Sequence, residues 1–357
     1  MSPRQRSLIA QIASFVLAGV LLYLSLRGVD FGAMLGALRR ADYRWLVPLA
    51  GVALFSHWLR AWRWQVLIRA LPDEETASDG RPPTTGGAFS SLMIGYMVNY
   101  AAPRLGEIAR TANLSARTHI GFSSLFGTVV VERILDVIVL ALALASVFVL
   151  LIDRAATIDR LFLTPLTEQL GRIPAIALGA GIAVVAILVL LLYRTMLRRD
   201  ASSGAPSWAD RARPVLLSFR DGIATLVRSP ERGTLVISTI GIWLFYTLMA
   251  YLPFVMLGMV DAYDLSFVDA WSIMILGAVG VAIPSPGGVG SYHYITIQSL
   301  VYLFAVSQEA AASYAVLSHA AQLVLYVATG AICLVLQGSS LHRLRLRTIA
   351  AKEDRSD

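Results

Sequence analysis

The sequence predicts an all-α polytopic membrane protein with about six full transmembrane helices and two re-entrant hairpins, arranged as a four-plus-four inverted repeat. Of the 357 residues, 57% are hydrophobic and 15% are charged, and the mean hydropathy is +0.66. These values lie outside the range of ordinary soluble domains. Several apolar runs reach the roughly 20 residues that a helix needs to cross about 30 Å of hydrocarbon. Two further apolar segments are interrupted by proline, glycine and charged residues.

The longest apolar runs are the predicted spans. Residues 8–26, 134–152 and 174–193 carry at most one charge, Asp136, over the length of a bilayer. Three further runs follow the same pattern, at 45–59, 234–259 and 314–336. No small-x-small cleavage site follows the first run, so we interpret it as a retained span and not as a secretory signal peptide.

The distribution of charge predicts the topology. Residues 194–232 are rich in arginine and the tail at 341–357 is basic, so the positive-inside rule places both in the cytoplasm. The acidic or mixed connections at 153–172 and 261–269 are then outside. We expect a multi-pass protein of the cell inner membrane with both termini in the cytoplasm. Residues 1–340 form its single membrane domain.

Two polar-interrupted segments, 87–118 and 267–305, must each cross an even number of times to fit this topology. Re-entrant hairpins satisfy that condition, provided that protein or a wet cavity hydrogen-bonds their backbone at membrane depth. The chain then divides into repeat one at about 8–152 and repeat two at about 174–337, of opposite orientation. In transporters built from such repeats the binding site lies between them.

Two local alignments support the repeat. SLMIGYMVNYAAPRLG at 91–106 aligns without gaps on SIMILGAVGVAIPSPG at 272–287. A shift of five residues then places VERILDVIVLALA, from 131, on LSHAAQLVLYVAT, from 317. Matches this short also occur by chance in apolar sequence, so the repeat depends mainly on the topology.

Charged clusters in or beside the predicted spans are the candidate site. In HWLRAWRW, Arg60 and Arg63 share a helix face and fit either an interface anchor or a contact to a headgroup phosphate. In NYAAPRLGEIART, Glu107 is spaced to pair with Arg104 or Arg110 along one turn. A charge inside the bilayer costs from about 2.5 kcal/mol upward unless it is paired or hydrated, so these residues indicate either a site or an internal salt bridge.

Two more motifs complete the candidate site. In ERILD, Glu132 and Asp136 face the same way and are expected to complement Arg104, Arg110 or Arg60, as structural or as binding groups. The run IPSPGGVGSYHY cannot be regular helix. Its free amide groups either cradle an anion or form a tight turn without a ligand.

These motifs, LRAWRW, NYAAPRLGEIAR, ERILD and PSPGGVG, resemble those of a flippase-like membrane family in their order and spacing. That family includes the transmembrane half of lysylphosphatidylglycerol synthases and stand-alone bacterial and archaeal members. The resemblance covers roughly residues 8–340. It implies an anionic phospholipid, an aminoacylated phospholipid or a polyprenyl-phosphate-linked glycan as substrate, which is moved between leaflets or presented to a partner enzyme.

Motif matches and chemistry together give the predicted headgroup site: Arg60, Arg63, Asn99, Arg104, Glu107, Arg110, Glu132, Arg133, Asp136, Gly287, Gly288, Gly290 and His293. Pro103 also matches a motif position. Family members commonly have glutamate after the glycine-rich tip, where this chain has His293, so a proton- or cation-linked role there is in doubt. The chain ends soon after its last span, so we do not expect the lysyl transfer activity of a soluble synthase domain.

The leading hypothesis is a lipid translocase, and the alternative is a non-transporting accessory subunit that binds lipid and partners a glycosyl- or aminoacyl-transferase. The sequence contains no GxSxG, HExxH or P-loop motif, and its single cysteine, Cys333, lies in an apolar run. An intramembrane transferase is therefore disfavoured. We expect no enzymatic activity, no cofactor, no metal and no nucleic-acid partner.

Overall fold

A computed structural model describes residues 3–71, 83–102, 105–118, 120–152, 231–283 and 285–338, all of them helical or in turns and connections. The predicted span at 174–193, almost all of the loop at 194–232 and the tail at 341–357 lie outside the described residues. Pro103, Arg104 and Pro284 also lie outside them.

The first part of the chain forms six helices: α1 (Pro3–Leu26), α2 (Phe31–Arg40), α3 (Leu46–Arg69), α4 (Thr85–Ala101), α5 (Gly106–Ser115) and α6 (Phe122–Leu150). After residue 230 come α7 (Arg232–Met256), α8 (Met259–Tyr263), α9 (Phe267–Ala282), α10 (Ser291–Phe304) and α11 (Gln308–Leu336). Short 3-10 turns lie at Tyr43–Trp45 and Pro286–Gly288.

Polar residues begin several of these helices. Asp30 accepts hydrogen bonds from two backbone amides in the first turn of α2, and Ser307 accepts one in the first turn of α11. Ser266 and Asp269 form a reciprocal capping box at the start of α9. Each cap satisfies amide groups that have no partner within the helix.

Three described helices, α6, α7 and α11, are long and apolar enough to cross a membrane. The count is four if the bent pair of Ser14–Leu26 and α2, which meet at 87°, forms one span. The predicted span at 45–59 corresponds to the N-terminal part of α3, and the C-terminal half of this helix carries the buried Arg60 and Arg63. The chain therefore folds as an all-helical protein with several candidate spans, and the number six stays a prediction.

Helix α6 begins earlier than the span predicted at 134–152. It starts at Phe122 and runs through the charged ERILD segment without interruption. Ion pairs to α3 and α5 satisfy those charges, so the helix continues where the sequence indicated a polar boundary.

Both predicted helix breaks are observed. Helix α4 ends at Ala101 and α5 begins at Gly106, where a Cβ would collide with the carbonyl oxygen of Gly95. Between α9 and α10, Gly287, Gly288 and Gly290 have φ values of 58°, 77° and 83°, which favour glycine. Small residues thus allow the helices of each pair to approach closely on either side of a break.

Side chains from four helices form a shared apolar core. Met93 and Ile94 of α4 pack with Met249 and Leu252 of α7, and with Leu317 of α11. The outward faces of the long helices are also apolar, including Leu142 on α6, Ile237 on α7 and Val324 on α11. This pattern, apolar both inside and outside, is that of helices whose surroundings are hydrocarbon.

Candidate functional site

Eight helices line a cavity of about 510 Å³: α3, α4, α5, α6, α7, α9, α10 and α11. This volume lies in the range of small-molecule sites. The turn at Pro286–Gly288 contributes Gly287 to the wall. Both polar-interrupted segments therefore contribute to one cavity, as the sequence predicted for hairpins that line an interior space.

Each long helix presents one narrow stripe to the cavity. On α6 the lining residues are Arg133, Asp136, Val137 and Leu140, and on α11 they include Tyr314, Ser318, Gln322 and Tyr326. Spacings of three and four residues place side chains on one helix face. Polar residues at these spacings in an otherwise apolar helix mark the face that is turned away from lipid.

Glu132 is the centre of a buried ion cluster behind the wall. Its carboxylate is fully buried and lies 2.7 Å from Arg60 Nε and 2.9 Å from Arg110 Nη2. Arg63 Nη2 is 3.6 Å away. Three arginines thus surround one carboxylate, and the predicted complement of Glu132 to Arg110 and Arg60 is confirmed as a set of ion pairs.

Asp136 continues the cluster toward the cavity, one turn further along α6. Both Arg60 and Arg63 bind its carboxylate, the latter with Nη2 at 2.5 Å from Oδ1. Arg60 Nη1 also donates to the hydroxyl of Tyr246, at 2.9 Å. The guanidinium of Arg60 is therefore oriented by α6 and α7 together, with every nitrogen in a contact.

Arg110 lies behind the cavity wall and holds α5 against α3 and α6. Its guanidinium carbon lies 4.8 Å from the centre of the Trp64 ring, a cation-π arrangement. The indole nitrogen of Trp64 donates to Thr128 Oγ1 at 2.9 Å. The pair expected between Glu107 and Arg110 is not formed, because Arg110 turns toward Glu132 on α6.

Glu107 instead pairs with Arg133, whose Nη2 lies 3.3 Å from its carboxylate oxygen, and both residues line the cavity. Arg133 also lies 3.6 Å from Asp136. Its side chain keeps 40% of its surface exposed, far more than Arg60, Arg63 or Arg110. Among the arginines with described positions in this cluster, Arg133 is the one best placed to contact a ligand.

The cluster has a net positive charge. Four guanidinium groups, of Arg60, Arg63, Arg110 and Arg133, face the three carboxylates of Glu107, Glu132 and Asp136. One positive charge is left over, at the wall of a cavity. Such a site can neutralise an anion, and guanidinium groups bind phosphate with two parallel hydrogen bonds.

The tips of the two broken segments meet at the cavity. The Tyr100 ring at the end of α4 lies against Gly287, where a Cβ would be 2.6 Å from Tyr100 Cδ1. Gly290, further along the tip, packs on the carbonyl oxygen of Ala18 in α1. The glycines therefore serve close backbone packing, and only Gly287 reaches the cavity wall.

Aromatic rings form a continuous track along the wall. It runs from Tyr246, beside Arg60, through His57 to Tyr326, with ring centres 6.1 and 4.7 Å apart. It continues from Tyr326 to Tyr100 at 6.4 Å and from Tyr100 to His319 at 6.1 Å. One end of the track is charged and the other carries histidine and tyrosine.

The predicted site residues divide into three groups. Those that line the cavity are Arg60, Asn99, Glu107, Arg133, Asp136 and Gly287. Those that lie elsewhere in the described fold are Arg63, Arg110, Glu132, Gly288, Gly290 and His293, and Arg104 is outside the described residues. Asn99 also has a structural contact, because its Oδ1 accepts the Gly106 amide at 2.7 Å.

Sequence reasoning missed the aromatic residues of the wall: Tyr96, Tyr100, Trp243, Tyr246, Tyr292, Tyr314 and Tyr326, together with Gln322. His319 also lines the cavity, although a single histidine in an apolar span is more often a core residue than a proton carrier. A tyrosine in an apolar helix has no distinctive hydropathy. The available signal was spacing, since Tyr96 and Tyr100 are four apart, as are Ser318, Gln322 and Tyr326 in sequence.

His293 is placed behind the wall rather than in it. Its ring centre lies 4.9 Å from that of His319, which does line the cavity. Within the described ranges, no group of three or more histidine, cysteine, aspartate or glutamate residues is arranged to hold a metal ion.

The chain is similar to known membrane proteins. The family described as "Lysylphosphatidylglycerol synthase TM region" matches residues 11–330. A curated relative, "Glycosyltransferase AglD" of Haloferax volcanii, is 24% identical over 348 residues, covering 92% of this chain and 54% of the relative. The chain thus spans about half the length of that relative. No solved structure matches the chain.

Proposed function

The chain belongs to the family of the lysylphosphatidylglycerol synthase transmembrane region, and from this membership and the cavity we propose that it is a lipid translocase. Its substrate is an anionic or aminoacylated phospholipid or a polyprenyl-phosphate-linked lipid. The observation that carries the proposal is the position of Arg133 and the net positive ion cluster at the wall of a cavity of about 510 Å³ among apolar helices.

The cavity addresses the main barrier to lipid transfer. A charged headgroup at the bilayer centre costs from about 2.5 kcal/mol upward when it is unpaired. In this protein the headgroup phosphate binds at Arg133, and the buried pairs of Arg60 with Glu132 and Asp136 keep the wall polar and in place. The headgroup then crosses in contact with polar groups instead of hydrocarbon.

The lipid tails leave through the side of the protein. Val137 on α6 and Val281 on α9 line the cavity and are 64% and 53% exposed, the largest fractions among the lining residues. We propose that the tails reach the surrounding hydrocarbon beside these two apolar side chains, where the lining residues are most exposed. A lipid therefore enters with its head first while its tails stay in the bilayer.

The inverted repeat is part of the proposal, and the lining residues support it. In the alignment of residues 131–143 with 317–329, Arg133 corresponds to His319 and Asp136 corresponds to Gln322. Leu140 corresponds to Tyr326 in the same register. All six residues line the cavity, which is the expected result if α6 and α11 are equivalent helices of two repeats.

The two polar-interrupted segments, one in each proposed repeat, support the repeat in the same way. In the alignment of 91–106 with 272–287, Tyr96 corresponds to Gly277 and Tyr100 to Val281, and all four line the cavity. We propose that repeat one at about 8–152 and repeat two at about 174–337 enclose the site in one membrane domain. Movement of one repeat against the other gives alternating access.

The proposed location is the inner membrane, with both termini and the loop at 194–232 in the cytoplasm. Arg104 belongs to the proposed site as well. It precedes Leu105 and α5, between Tyr100 and Glu107, which both line the cavity.

A second function is favoured by the relative named as a glycosyltransferase, of which this chain matches about half. In that case the chain binds a lipid and holds it for a separate lipid-modifying transferase without moving it. The same cavity serves both functions, so transport itself is the property that separates them.

Reconstitution of the purified full-length chain into proteoliposomes tests the proposal. Translocation is measured by dithionite quenching of fluorescent phospholipid and of a fluorescent polyprenyl phosphate, with protein-free vesicles as control. We expect protein-dependent transfer that falls at least tenfold in Arg104→Ala and Glu107→Ala, with insertion unchanged. Bound lipid without any transfer would establish the accessory function instead, and wild-type transfer in both variants would refute the site.

A further inference from the structure

The part of the cavity wall that α10 and α11 form carries no formal charge among its described residues. The charged lining residues, Arg60, Glu107, Arg133 and Asp136, lie on α3, α5 and α6. Helices α10 and α11 contribute a different set to the wall: Tyr292, Tyr314, Ser318, His319, Gln322 and Tyr326. The cavity thus has an ionic side and a neutral side that is rich in hydrogen-bonding groups.

The neutral side is a compact group of rings and polar side chains. The ring of His319 lies 5.4 Å from Tyr292 and 6.1 Å from Tyr100. The hydroxyls of Ser318, and of Thr296 one turn after Tyr292, are buried and make no hydrogen bond within the described structure. Gln322 lies one turn after Ser318 on the same face of α11 and is half-buried at the cavity. Ring packing thus holds His319 between Tyr292 and Tyr100, and the side chain of Gln322 lies at the wall.

His319 has hydrogen-bonding capacity that the protein does not use. Its side chain is 8% exposed, and its Nε2 makes no hydrogen bond within the described structure. Nδ1 of the adjacent His293 also makes no hydrogen bond within the described structure. A buried polar atom without a partner is destabilising, and a ligand that supplies the partner relieves that cost.

In the proposed repeat, the two sides of the cavity correspond to each other. At the positions where repeat one has Arg133 and Asp136, repeat two has His319 and Gln322. Two equivalent wall positions therefore carry ions in one half and uncharged groups in the other. A ligand that fits both halves has a charged part and an uncharged, polar part.

The size of the cavity agrees with a two-part headgroup. A phosphate occupies the volume of only a few water molecules, each about 30 Å³ in the liquid, and so fills a small part of about 510 Å³. Aromatic faces stack on the C–H faces of sugars and polyols, while amide and imidazole groups exchange hydrogen bonds with hydroxyls. An ammonium group would find no unpaired carboxylate in the described cluster, because Glu107, Glu132 and Asp136 each bind arginine.

We infer that Tyr100, Tyr292, Ser318, His319 and Gln322 form a second subsite that binds the uncharged, hydroxyl-bearing part of the headgroup, a sugar or polyol esterified to the phosphate held at Arg133. This inference rests on the proposed function for the phosphate and adds the chemical class of the group attached to it. The same chemistry occurs in a glycerophospholipid with a polyol head and in a polyprenyl-phosphate sugar.

Binding of short-chain ligands to the purified full-length chain tests the inference, without any need for transport. Binding is measured by isothermal titration calorimetry in detergent. The probes are the dihexanoyl forms of phosphatidylinositol, phosphatidic acid and phosphatidylethanolamine, a short-chain lysyl-phosphatidylglycerol, and a short prenyl phosphate hexose. We expect phosphatidylinositol or the prenyl phosphate hexose to bind at least tenfold more tightly than phosphatidic acid and than either amine lipid. Whichever of these two ligands binds more tightly shows whether the headgroup belongs to a glycerophospholipid or to a polyprenyl phosphate.

Three variants assign the preference to the subsite. Gln322→Leu and His319→Leu should each lower the ratio of hydroxylated-ligand affinity to phosphatidic acid affinity by at least fivefold, while His319→Gln, which keeps a donor and an acceptor, should keep most of the ratio. A purely structural role would weaken all ligands alike and leave the ratio unchanged. An unchanged ratio in both leucine variants, or tighter binding of an amine lipid in wild type, overturns the inference. If the ratio falls as expected but no lipid is transferred in proteoliposomes, the subsite stands and the translocase function is wrong.

Discussion

The ring of Tyr100 lies directly on Gly287, so that the end of α4 and the glycine-rich tip before α10 touch at the cavity wall. The two residues are far apart in the sequence and belong to the two segments that proline and glycine interrupt. This contact joins the two polar segments at the cavity wall, so a side chain added at Gly287 should disturb both of them.

Gly287→Ala should destabilise the protein by about 2 kcal/mol, because φ is 58° at this position and a Cβ would lie 2.6 Å from Tyr100 Cδ1. Apparent melting temperature in detergent measures the effect. Gly51→Ala in α3, where a Cβ meets no atom within 4 Å, is the matched control and should be neutral or stabilising. The double variant with Tyr100→Ala should recover part of the loss, and fully additive effects would contradict a direct contact.

Glu132→Gln should be severely destabilising, by about 3 to 5 kcal/mol, because it leaves Arg110 buried without a carboxylate partner and leaves Arg60 with Asp136 alone. We expect little folded protein by fluorescence-detected size exclusion. The comparison is Glu107→Gln, whose carboxylate is partly exposed and pairs with the half-exposed Arg133, where the loss should stay within about 1 kcal/mol. Equal stability of the two variants would show that Glu132 is not the centre of a structural cluster.

Arg133→Gln should lower affinity for phosphatidic acid about tenfold, the loss of one charge-assisted contact, with a melting temperature close to wild type. Titration of the purified variant measures it. Arg44→Gln is the control, since its side chain is 91% exposed and pairs with Asp42 in a connection before α3. Wild-type affinity in Arg133→Gln would show that another arginine binds the phosphate.

Gly95→Ala should separate α4 from α5, because its Cβ would lie 2.7 Å from the Gly106 carbonyl oxygen and 3.0 Å from Arg110 Cβ. Backbone atoms cannot give way cheaply, so we expect a loss of about 2 kcal/mol and impaired lipid transfer. Gly127→Ala in α6, with open space around its Cβ, tests whether any added methyl has this effect. A Gly95→Ala protein with wild-type melting and transfer would exclude tight packing of this pair.

Cysteine labelling should place Asp261 outside the cell and Ser202 in the cytoplasm. Single cysteines at the two positions are made in a Cys333→Ala background, because Cys333 is the only native cysteine. A membrane-impermeant maleimide should label Asp261→Cys in intact cells and Ser202→Cys only after permeabilisation. Labelling of both positions in intact cells would refute the proposed topology.

The sequence was most informative where physics leaves few choices. Charge within an apolar helix is costly, so Arg60, Glu132 and Asp136 stood out, and Arg60 was one of three arginines expected to pair with the two carboxylates. Proline and glycine cannot continue a helix without cost, so both breaks were placed correctly. These residues are recognisable without knowing what they contact.

The other contacts of the site could not be predicted from the sequence, because they depend on which helices pack against each other. The sequence offered both Glu107 and Glu132 as partners of Arg110, and only the packing of α5 against α6 shows that Glu132 is the one that pairs with it. The cavity-facing tyrosines were missed because a tyrosine in an apolar helix fits equally well in a core, at a membrane interface or in a site. Only the packing of α4, α7 and α11 together distinguishes these positions.

Val137 and Val281 form an apolar border of the cavity, and in the proposed function this border determines which part of a lipid the protein recognises. In the proposed mechanism only the polar head enters, so selection among lipids should not depend on fatty-acid length or unsaturation except through bilayer thickness. A cell that remodels its fatty acids with temperature would then keep the same substrate range in this protein, because the part of the lipid that changes never leaves the surrounding membrane.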